Sequence, residues 1–343
     1  MLELPKIPPK KILITGVAGF MGSHLAQYLA NQGHKVTGID NLSIGRIHNI
    51  PDNILFKRVD LRDAEATAKV VEETKPELVY HLACWAHEGL SQFMPRHITE
   101  NNYNAFLNLI VPCINHGMRR IVVCSSMSVY GDQKPPFDES LPKKPVDVYA
   151  VAKAAMEDTT AILADVHGFD FTIIRPHNVY GPRQIIWDPY RNVVGIFTNR
   201  IMQGKPPIIY GDGEQTRAFS FIDDVTPYIA KSGIVDTTKG EIINVGPLEE
   251  YTINELANTV IAAFGVDMEP HHLPDRPREV KHAYCTNDKA MRILGYNTSI
   301  SLRDGVQRMV DWARGIGPQE FQYLDQIELT GDNIPRTWRD KLM

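Results

Sequence analysis

Lys11-Ile12-Leu13-Ile14-Thr15-Gly16-Val17-Ala18-Gly19-Phe20-Met21-Gly22 is an apolar run that passes directly into three glycines spaced by three. Its first half, β-branched Ile12 and Ile14 around Leu13, has the near-continuous apolar character of a strand buried on both faces of a parallel sheet. Gly16, Gly19 and Gly22 then permit a sharp turn, a close approach of backbone to a diphosphate, and tight packing of the next helix on the strand. Met21, Leu25 and Leu29 recur at helical spacing, so the run predicts a helix whose amide-rich, dipole-positive start faces that loop.

A glycine-spaced loop by itself also occurs in ordinary turns, and the next strand decides between the readings. That second apolar run, Lys35 to Ile39, ends in Asp40, 18 residues beyond Gly22. There a carboxylate accepts hydrogen bonds from the adenosine ribose hydroxyls of a dinucleotide. It would repel a 2′-phosphate, so Asp40 argues for NAD over NADP; Arg46 is the nearby residue that opposes this preference.

The same rhythm continues. A third strand is expected around Ile54 to Val59, leading to Asp60 and Leu61. Asp60 is there either a ligand to the adenine or the cap of a helix beginning near Asp63. That helix runs from Ala64 to Thr74 and stops at Pro76, and Leu78 to Ala83 forms a fourth strand. Ala83 and Cys84 keep the chain small where phosphates and inner ribose belong. Trp85 to Ser91 leads into a long helix, Ile98 to His116; Asn101 and Asn102 are poor interior helix formers, so at least one has a bonding task. His87 and Glu88 read as a polar loop at the pocket mouth rather than as an acid-base pair. Arg120 to Ser126 is a fifth strand with two hydroxyls at its carboxyl end, a helix starts at about Val148, and Phe171 to Arg175 is a sixth strand stopped by Pro176.

Past Gly181 the alternation breaks into short elements rich in proline and glycine, with an alternating strand around Ala218 to Ile222. Helices follow at Val225 to Ser232, Ile253 to Phe264, Asn287 to Leu294 and Leu302 to Arg314. The fold class is therefore α/β: a doubly wound parallel sheet of the Rossmann type with a smaller mixed α/β substrate domain. The division is residues 1–180 for the dinucleotide, with later segments returning to that domain, 181–316 mainly for the substrate, and a tail over 317–343. The default binding site is the cleft between the domains.

Composition fits a soluble globular protein. Hydrophobic residues make up 43% and charged residues 22% of the 343, and the formal net charge of -5 supplies no electrostatic reason for nucleic acid or an acidic membrane as partner. No apolar stretch is long enough to span a bilayer, and Met1 to Lys10 lacks the apolar core of a signal peptide, so the expected location is the cytoplasm. Cys84, Cys113, Cys124 and Cys285 show no short paired spacing and read as reduced thiols rather than disulfides or metal ligands.

Tyr149 and Lys153 stand four residues apart, on one helix face. A free phenol has a pKa of about 10, and a neighbouring ammonium favours the phenolate, which makes Tyr149 a general base towards a sugar or alcohol hydroxyl. Ser126, 23 residues earlier at the ligand-facing end of a strand, can bond the same substrate oxygen.

With these residues assembled, the chain resembles an extended short-chain dehydrogenase/reductase of the nucleotide-sugar epimerase/dehydratase family over roughly residues 10–315. The motifs are Gly16 to Gly22, Asp40-Asn41-Leu42-Ser43, His81-Leu82-Ala83, Ser125 to Gly131, Tyr149 with Lys153, and Arg175 to Gln184. The resemblance implies a catalytic set of Ser126, Tyr149 and Lys153. It implies an NAD site lined by Gly16, Gly19, Phe20, Met21, Gly22, Asp40, Asn41, Leu42, Ser43, Asp60, Leu61, Leu82, Ala83, Ala86, Asn102 and His177, with Tyr149 and Lys153. Asn178, Arg217 and Arg276 match positions that hold the nucleotide diphosphate. Ala283 falls where a bulky residue excludes N-acetylated sugars in some members.

The chain departs from the family pattern at Ala218, where an acid is common, at His177, where an aromatic is usual, at Arg278-Glu279 and in the Ala86 to Leu90 loop. Met127 and Ser128 replace the acidic pair usual in dehydratases. The implied reaction is NAD-dependent C4 epimerisation of a nucleoside-diphosphate sugar, a UDP-hexose or its N-acetyl form. A 4-dehydrogenase, a decarboxylase, a 3,5-epimerase using His87 or another polar group of its loop, and a non-catalytic NAD-binding scaffold are the alternatives. The resemblance also implies a homodimer through a four-helix interface of Ile98–His116 and Tyr149–His167, to which Tyr103, Phe106 and Leu107 supply either contacts or core.

Overall fold

The structure, a computed structural model, describes Leu4, Pro5 and residues 7–275 and 280–343. Short β-branched runs alternate with helices through the first half: β1 (Lys11–Thr15), α1 (Phe20–Asn31), β2 (Lys35–Asp40), β3 (Leu55–Arg58), α2 (Ala64–Thr74), β4 (Leu78–His81), α3 (Glu88–Ser91), α4 (Pro95–Thr99), α5 (Ala105–Asn115), β5 (Arg120–Cys124), α6 (Val148–His167) and β6 (Asp170–Pro176). The second half holds β7 (Val179–Tyr180), α7 (Val193–Met202), β8 (Ile208–Tyr210), β9 (Thr216–Arg217), β10 (Ser220–Phe221), α8 (Thr226–Ser232) and β11 (Glu241–Val245). It ends with β12 (Tyr251–Thr252), α9 (Ile253–Phe264), β13 (His271–Leu273), β14 (His282–Ala283), α10 (Asp288–Leu294), α11 (Leu302–Ile316) and α12 (Arg336–Arg339).

Seven parallel strands form the main sheet in the order β11-β6-β5-β4-β1-β2-β3. β1 pairs with both β2 and β4, so the chain winds outward from it in two directions and leaves a crevice over the carboxyl ends of the strands, the place where open α/β sheets bind ligands. Residue alternation divides the core. Leu13, Val79, Ile121 and Ile173 face α2, α5 and α6, whereas Ile12, Ile14, Tyr80 and Ile174 face α1 and the helices of the second half. β11 returns to the sheet edge beside β6 from beyond residue 181, with Ile242 opposite Ile173.

Two expectations are corrected and one of two alternatives for Asp60 is removed. The helix foreseen over 98–116 starts earlier, at Pro95, and carries a π-helical turn over Glu100–Asn104 between α4 and α5. The extra residue in that turn accompanies a buried Asn102 whose side chain leaves the helix to bond Trp85, accepting from its N–H at 2.7 Å and donating to its carbonyl at 3.1 Å. The strand foreseen around 218–222 is only Ser220–Phe221, because Ile222 already enters a tight turn. Asp63, not Asp60, caps α2, accepting from Ala66 N at 2.9 Å.

The tail folds back onto the body. The Glu328 carboxylate accepts from the N–H groups of Arg96 and His97 at the start of α4, Asn199 and Gln203 of α7 hold the carbonyl of Gln319, and Trp338 is 5% exposed. Trp338 joins Leu90, Met94, Ile98 and Tyr149 in one apolar cluster.

Candidate active site

A cavity of about 350 Å³ occupies the crevice. At one end it is built almost entirely of backbone. A Cβ placed on Gly22 would fall 2.1 Å from the Gly16 carbonyl oxygen, and one on Gly16 would fall 2.9 Å from Ala83 Cα, so only glycine lets the loop lie against α1 and the end of β4. Thr15 Oγ1 accepts from the N–H groups of Leu82 and Ala83 and fixes β4 against β1. Gly16, Gly19, Phe20, Met21 and Gly22 line this end, together with Leu82, Ala83 and Ala86.

Asp40 closes β2 with its carboxylate held by Ala18 N at 3.0 Å and Leu42 N at 2.8 Å. Burial pushes its pKa up, and those two N–H donors oppose the rise. Asp60 accepts from Arg62 Nη2 at 2.7 Å and Asn41 Nδ2 at 3.1 Å, and the Arg62 bond above all pulls its pKa down to about 2. Asn41, Ser43, Asp60 and Leu61 also face the cavity. A glycine cradle at a helix start followed by two carboxylates suits a dinucleotide, with amides for its diphosphate and acids for its ribose and base. Arg46, the residue whose charge opposes the preference for NAD, lies over the Trp187 ring, 4.4 Å from its centroid.

Ser126, Tyr149 and Lys153 line the same cavity. Ser126 follows β5 and caps a tight turn, its Oγ accepting from Ser128 N at 3.1 Å and from Ser128 Oγ at 2.9 Å. Tyr149 is the second residue of α6, whose first turn is fixed by Asp147 accepting from Ala150 N at 2.8 Å. Lys153 lies one turn on; its Nζ donates to the Cys124 carbonyl at 2.6 Å and sits 5.7 Å from the Tyr149 ring centroid. Burial pushes the Tyr149 phenol up, while Lys153 first and Arg191 after it draw it back. Burial alone would lower the Lys153 ammonium, but the neighbouring Cys84, Tyr149 and Cys124 outweigh it and hold Lys153 protonated.

A buried pair absent from the sequence-based expectations sets this register. Glu157, two turns from Tyr149 on α6, accepts from Arg175 Nη2 at 2.6 Å and from Ser125 Oγ at 2.5 Å. It thereby ties α6 to the ends of β5 and β6, beside Ser126. Arg175 directly before Pro176 in a strand otherwise apolar was the available signal.

Asn178 and Arg217, expected at the diphosphate, and Ala283, expected beside the sugar, line the cavity. Asn178 has a left-handed φ of 29° and donates from Nδ2 to the Ala218 carbonyl at 2.9 Å. Arg217 donates to the carbonyls of Val280 and Thr216 at 2.7 and 2.8 Å, and Ala283 stands opposite it in the β14-β9 pair. Arg276 and the Arg278-Glu279 departure lie outside the described residues.

Three residues expected at the cofactor do not line the cavity. Asn102 is wholly buried and braces the Trp85 loop, while Asn101 faces the cavity instead. His177 is 0% exposed behind Gly246, where a Cβ would fall 2.4 Å from its Nδ1, and burial pulls its pKa down to about 3. Leu42 takes a left-handed φ of 62° and offers its N–H to Asp40.

On the opposite wall, His87 and Glu88 line the cavity as the polar loop expected there, whereas the segment that meets them was not foreseen. His87 Nε2 lies 2.7 Å from Asp188 Oδ2. Trp85, Gln184, Asp188, Arg191 and Asn192 also face the cavity. The polar and aromatic run Trp187-Asp188-Pro189-Tyr190-Arg191-Asn192, in a loop before α7, was the signal. Among the described residues no group of three His, Cys, Asp or Glu is placed to hold a metal ion.

A glycine cradle closed by carboxylates on a doubly wound sheet, with Ser126, Tyr149 and Lys153 at its inner end, defines a dinucleotide-dependent enzyme working on a hydroxyl-bearing substrate. The sequence profile of the NAD dependent epimerase/dehydratase family matches residues 12–246. The UDP-glucose 4-epimerase of Mycolicibacterium smegmatis is 33% identical over 313 residues, 89% of this chain and 98% of that one. Among solved structures, the Thermus thermophilus UDP-glucose 4-epimerase complex with NAD matches with a TM-score of 0.82 at 32% identity, covering 89% of this chain and 99% of that one. The UDP-N-acetylglucosamine 4-epimerase of Methanobrevibacter ruminantium, in complex with UDP-N-acetylmuramic acid, matches with a TM-score of 0.83 at 30% identity, over 89% and 98%. The chain belongs to the NAD-dependent epimerase/dehydratase family, and its cofactor is NAD.

Proposed function

We propose that this protein interconverts the C4 epimers of a UDP-hexose or UDP-N-acetylhexosamine. The observation that carries this reading is the convergence of Ser126, Tyr149 and Lys153 on the cavity that the glycine loop opens into. Held by the glycine loop with Asp40 and Asp60, NAD would supply the reversible hydride acceptor that the C4 chemistry needs. Tyr149 takes the proton from the 4-hydroxyl and gives it back, Ser126 Oγ bonds the same oxygen, and Lys153, bonded to the Cys124 carbonyl, keeps the phenolate accessible. Ser126 must give up its bond from Ser128 Oγ or redirect its own hydrogen to do so. Asn178 and Arg217, with Arg276, hold the diphosphate, and Ala283 leaves room beside the sugar, which supports an N-acetyl group as well as a hydroxyl. Met127 and Ser128 put no carboxylate next to Ser126, which disfavours elimination.

In this reading residues 1–180 with β11 bind NAD and residues 181–316 mainly bind the sugar nucleotide. No helix among the described residues is long and apolar enough to cross a membrane, and we place the enzyme in the cytoplasm. We also propose a homodimer through α5 and α6: Val111, Val151, Ile162 and Val166 expose 51–69% of their surface on these helices, while Phe106 is core at 0%. Light scattering that gives twice 38.7 kDa supports it, and a monomer refutes it. The catalytic reading is tested by incubating the enzyme with separate UDP-, dTDP-, GDP- and CDP-sugars and following each by proton NMR. Interconversion of C4 epimers supports it; a keto, pentose or C3/C5-inverted product assigns a different reaction.

A further inference from the structure

We propose that His87, held by Asp188, is a substrate-positioning residue that accepts a hydrogen bond from a hydroxyl of the sugar. The proposal rests on the nucleotide-sugar reading and adds to it a residue outside the Ser126, Tyr149 and Lys153 set.

The Asp188 carboxylate can only accept, so in the neutral imidazole the hydrogen is on Nε2 and Nδ1 is left as a lone pair. Nδ1 is buried with no partner among the described residues, and the His87 side chain is 4% exposed. A buried acceptor without a donor is unfavourable, yet here it belongs to a residue that lines the cavity holding Tyr149. Of the polar parts of a sugar nucleotide, the diphosphate offers only acceptors, whereas the hydroxyls of the sugar and ribose and the uracil N3–H offer hydrogens; of these, the nucleotide-sugar reading brings the sugar to the cavity shared by Tyr149 and His87. The lone pair therefore matches the sugar.

The pair is fixed from both sides before any ligand arrives. Asp188 Oδ1 accepts from Tyr190 N at 2.8 Å, and the Tyr190 hydroxyl accepts from Leu324 N at 3.0 Å, so the tail holds the Asp188 segment. The Tyr190 ring meets Trp338 edge-on at 5.2 Å, and Trp85 lies against His87 at 4.9 Å. An acceptor so constrained discriminates by geometry, because a sugar lacking the matching hydroxyl leaves Nδ1 unpaired.

The test compares kcat/KM on the UDP-hexose turned over by the wild type with its 2-, 3- and 6-deoxy forms. The wild type should lose about tenfold to a hundredfold on one deoxy form. His87→Leu should show a similar loss on the parent sugar and discriminate that deoxy form less than about twofold. His87→Asn, whose amide oxygen can take the place of Nδ1, should restore most of the discrimination. Asp188→Asn offers an N–H to Nε2 and drives the ring hydrogen onto Nδ1, so it should resemble His87→Leu and add little in that background. NAD binding, followed by fluorescence, should be unchanged in all three.

Equal losses on every sugar in His87→Leu and His87→Asn would overturn the proposal and make the pair a structural brace. So would solvent deuterium entering a ring carbon in the wild type but not in His87→Leu, which would make His87 a base at carbon. Failure of the wild type to turn over any nucleotide sugar would remove the underlying reading, and it is seen without any His87 variant.

Discussion

The two ends of the cavity are built by different means. The end we assign to NAD is made largely of backbone from residues 16–86: three glycines, the start of α1 and the tips of β2 and β4, with Asp40 and Asp60 as its carboxylates. The end where we place the sugar is made of side chains from segments far apart in the chain, with His87 meeting Asp188 across 101 residues and Tyr190 meeting Leu324 across 134. A phosphate is recognised by amides that any residue carries, so the site demands glycine at fixed spacing and little else. A sugar is recognised by oriented side chains, and the fold must bring those together.

The comparison breaks most sharply at Tyr149, where the ends meet. Tyr149→Phe removes the phenol and keeps the ring that packs in the Trp338 cluster. Turnover should fall by about 10²–10⁴-fold, the usual loss of a general base, while NAD affinity by fluorescence titration stays within a few-fold. Loss of NAD binding along with turnover would mean that the two ends are not separable.

Next in size is Trp338→Ala. Removing this buried ring should cost about 3 kcal/mol in denaturant unfolding. Because the tail packs on the Tyr149 cluster and on the Tyr190 segment and no contact ties it to the glycine loop among the described residues, the change should also raise KM for the sugar nucleotide while sparing NAD affinity. A stability loss with unchanged sugar KM would make the tail a brace alone.

Three histidines probe the frame behind both ends. Burial pulls His24 down to about 4 and His81 and His177 to about 3, so each stays neutral in the folded protein where the unfolded chain, near 6.5, takes up a proton. Stability should therefore fall as pH drops from about 6.5, steepest between there and pH 4, by up to about 1.4 kcal/mol per pH unit for each histidine. His177→Phe should flatten that slope by one histidine's share in urea titrations at pH 7, 6 and 5. An unchanged slope would show that His177 ionises within the fold.

The smallest effect is at Asp60. Its folded pKa, about 2, lies below the ordinary 3.8, so its stabilisation is present above pH 4 and is lost as pH falls towards 2. Arg62 is half exposed, 48% of its side chain, so Arg62→Gln should cost under about 1 kcal/mol at pH 7. The difference from wild type should shrink below pH 4; a constant difference would assign it to packing.

How far the sequence could be read follows the same division. The glycine loop, Asp40, and the Tyr149 and Lys153 pair were legible because each depends on local spacing, and the sheet followed from apolar runs that β1 to β6 reproduce within a residue or two. Asn102 was legible only as a residue with a bonding task, because its partner, Trp85, is set by tertiary packing. The burial of His177 was not legible, because its position next to Asn178 says nothing of Gly246, which closes over it. Asp188 and Glu157 were out of reach for a different reason: each acts through partners 18 to 101 residues away, and no local pattern names those partners.

The most direct test of C4 epimerisation tracks one hydrogen. A UDP-hexose carrying deuterium at C4 is incubated with the enzyme, and the products are read by NMR while NADH absorbance is recorded. Deuterium retained at C4 of the inverted epimer with no net NADH is the expected result, since the hydride that leaves C4 is the one that returns. Loss of the label from C4, or steady accumulation of NADH with a keto product, would contradict it.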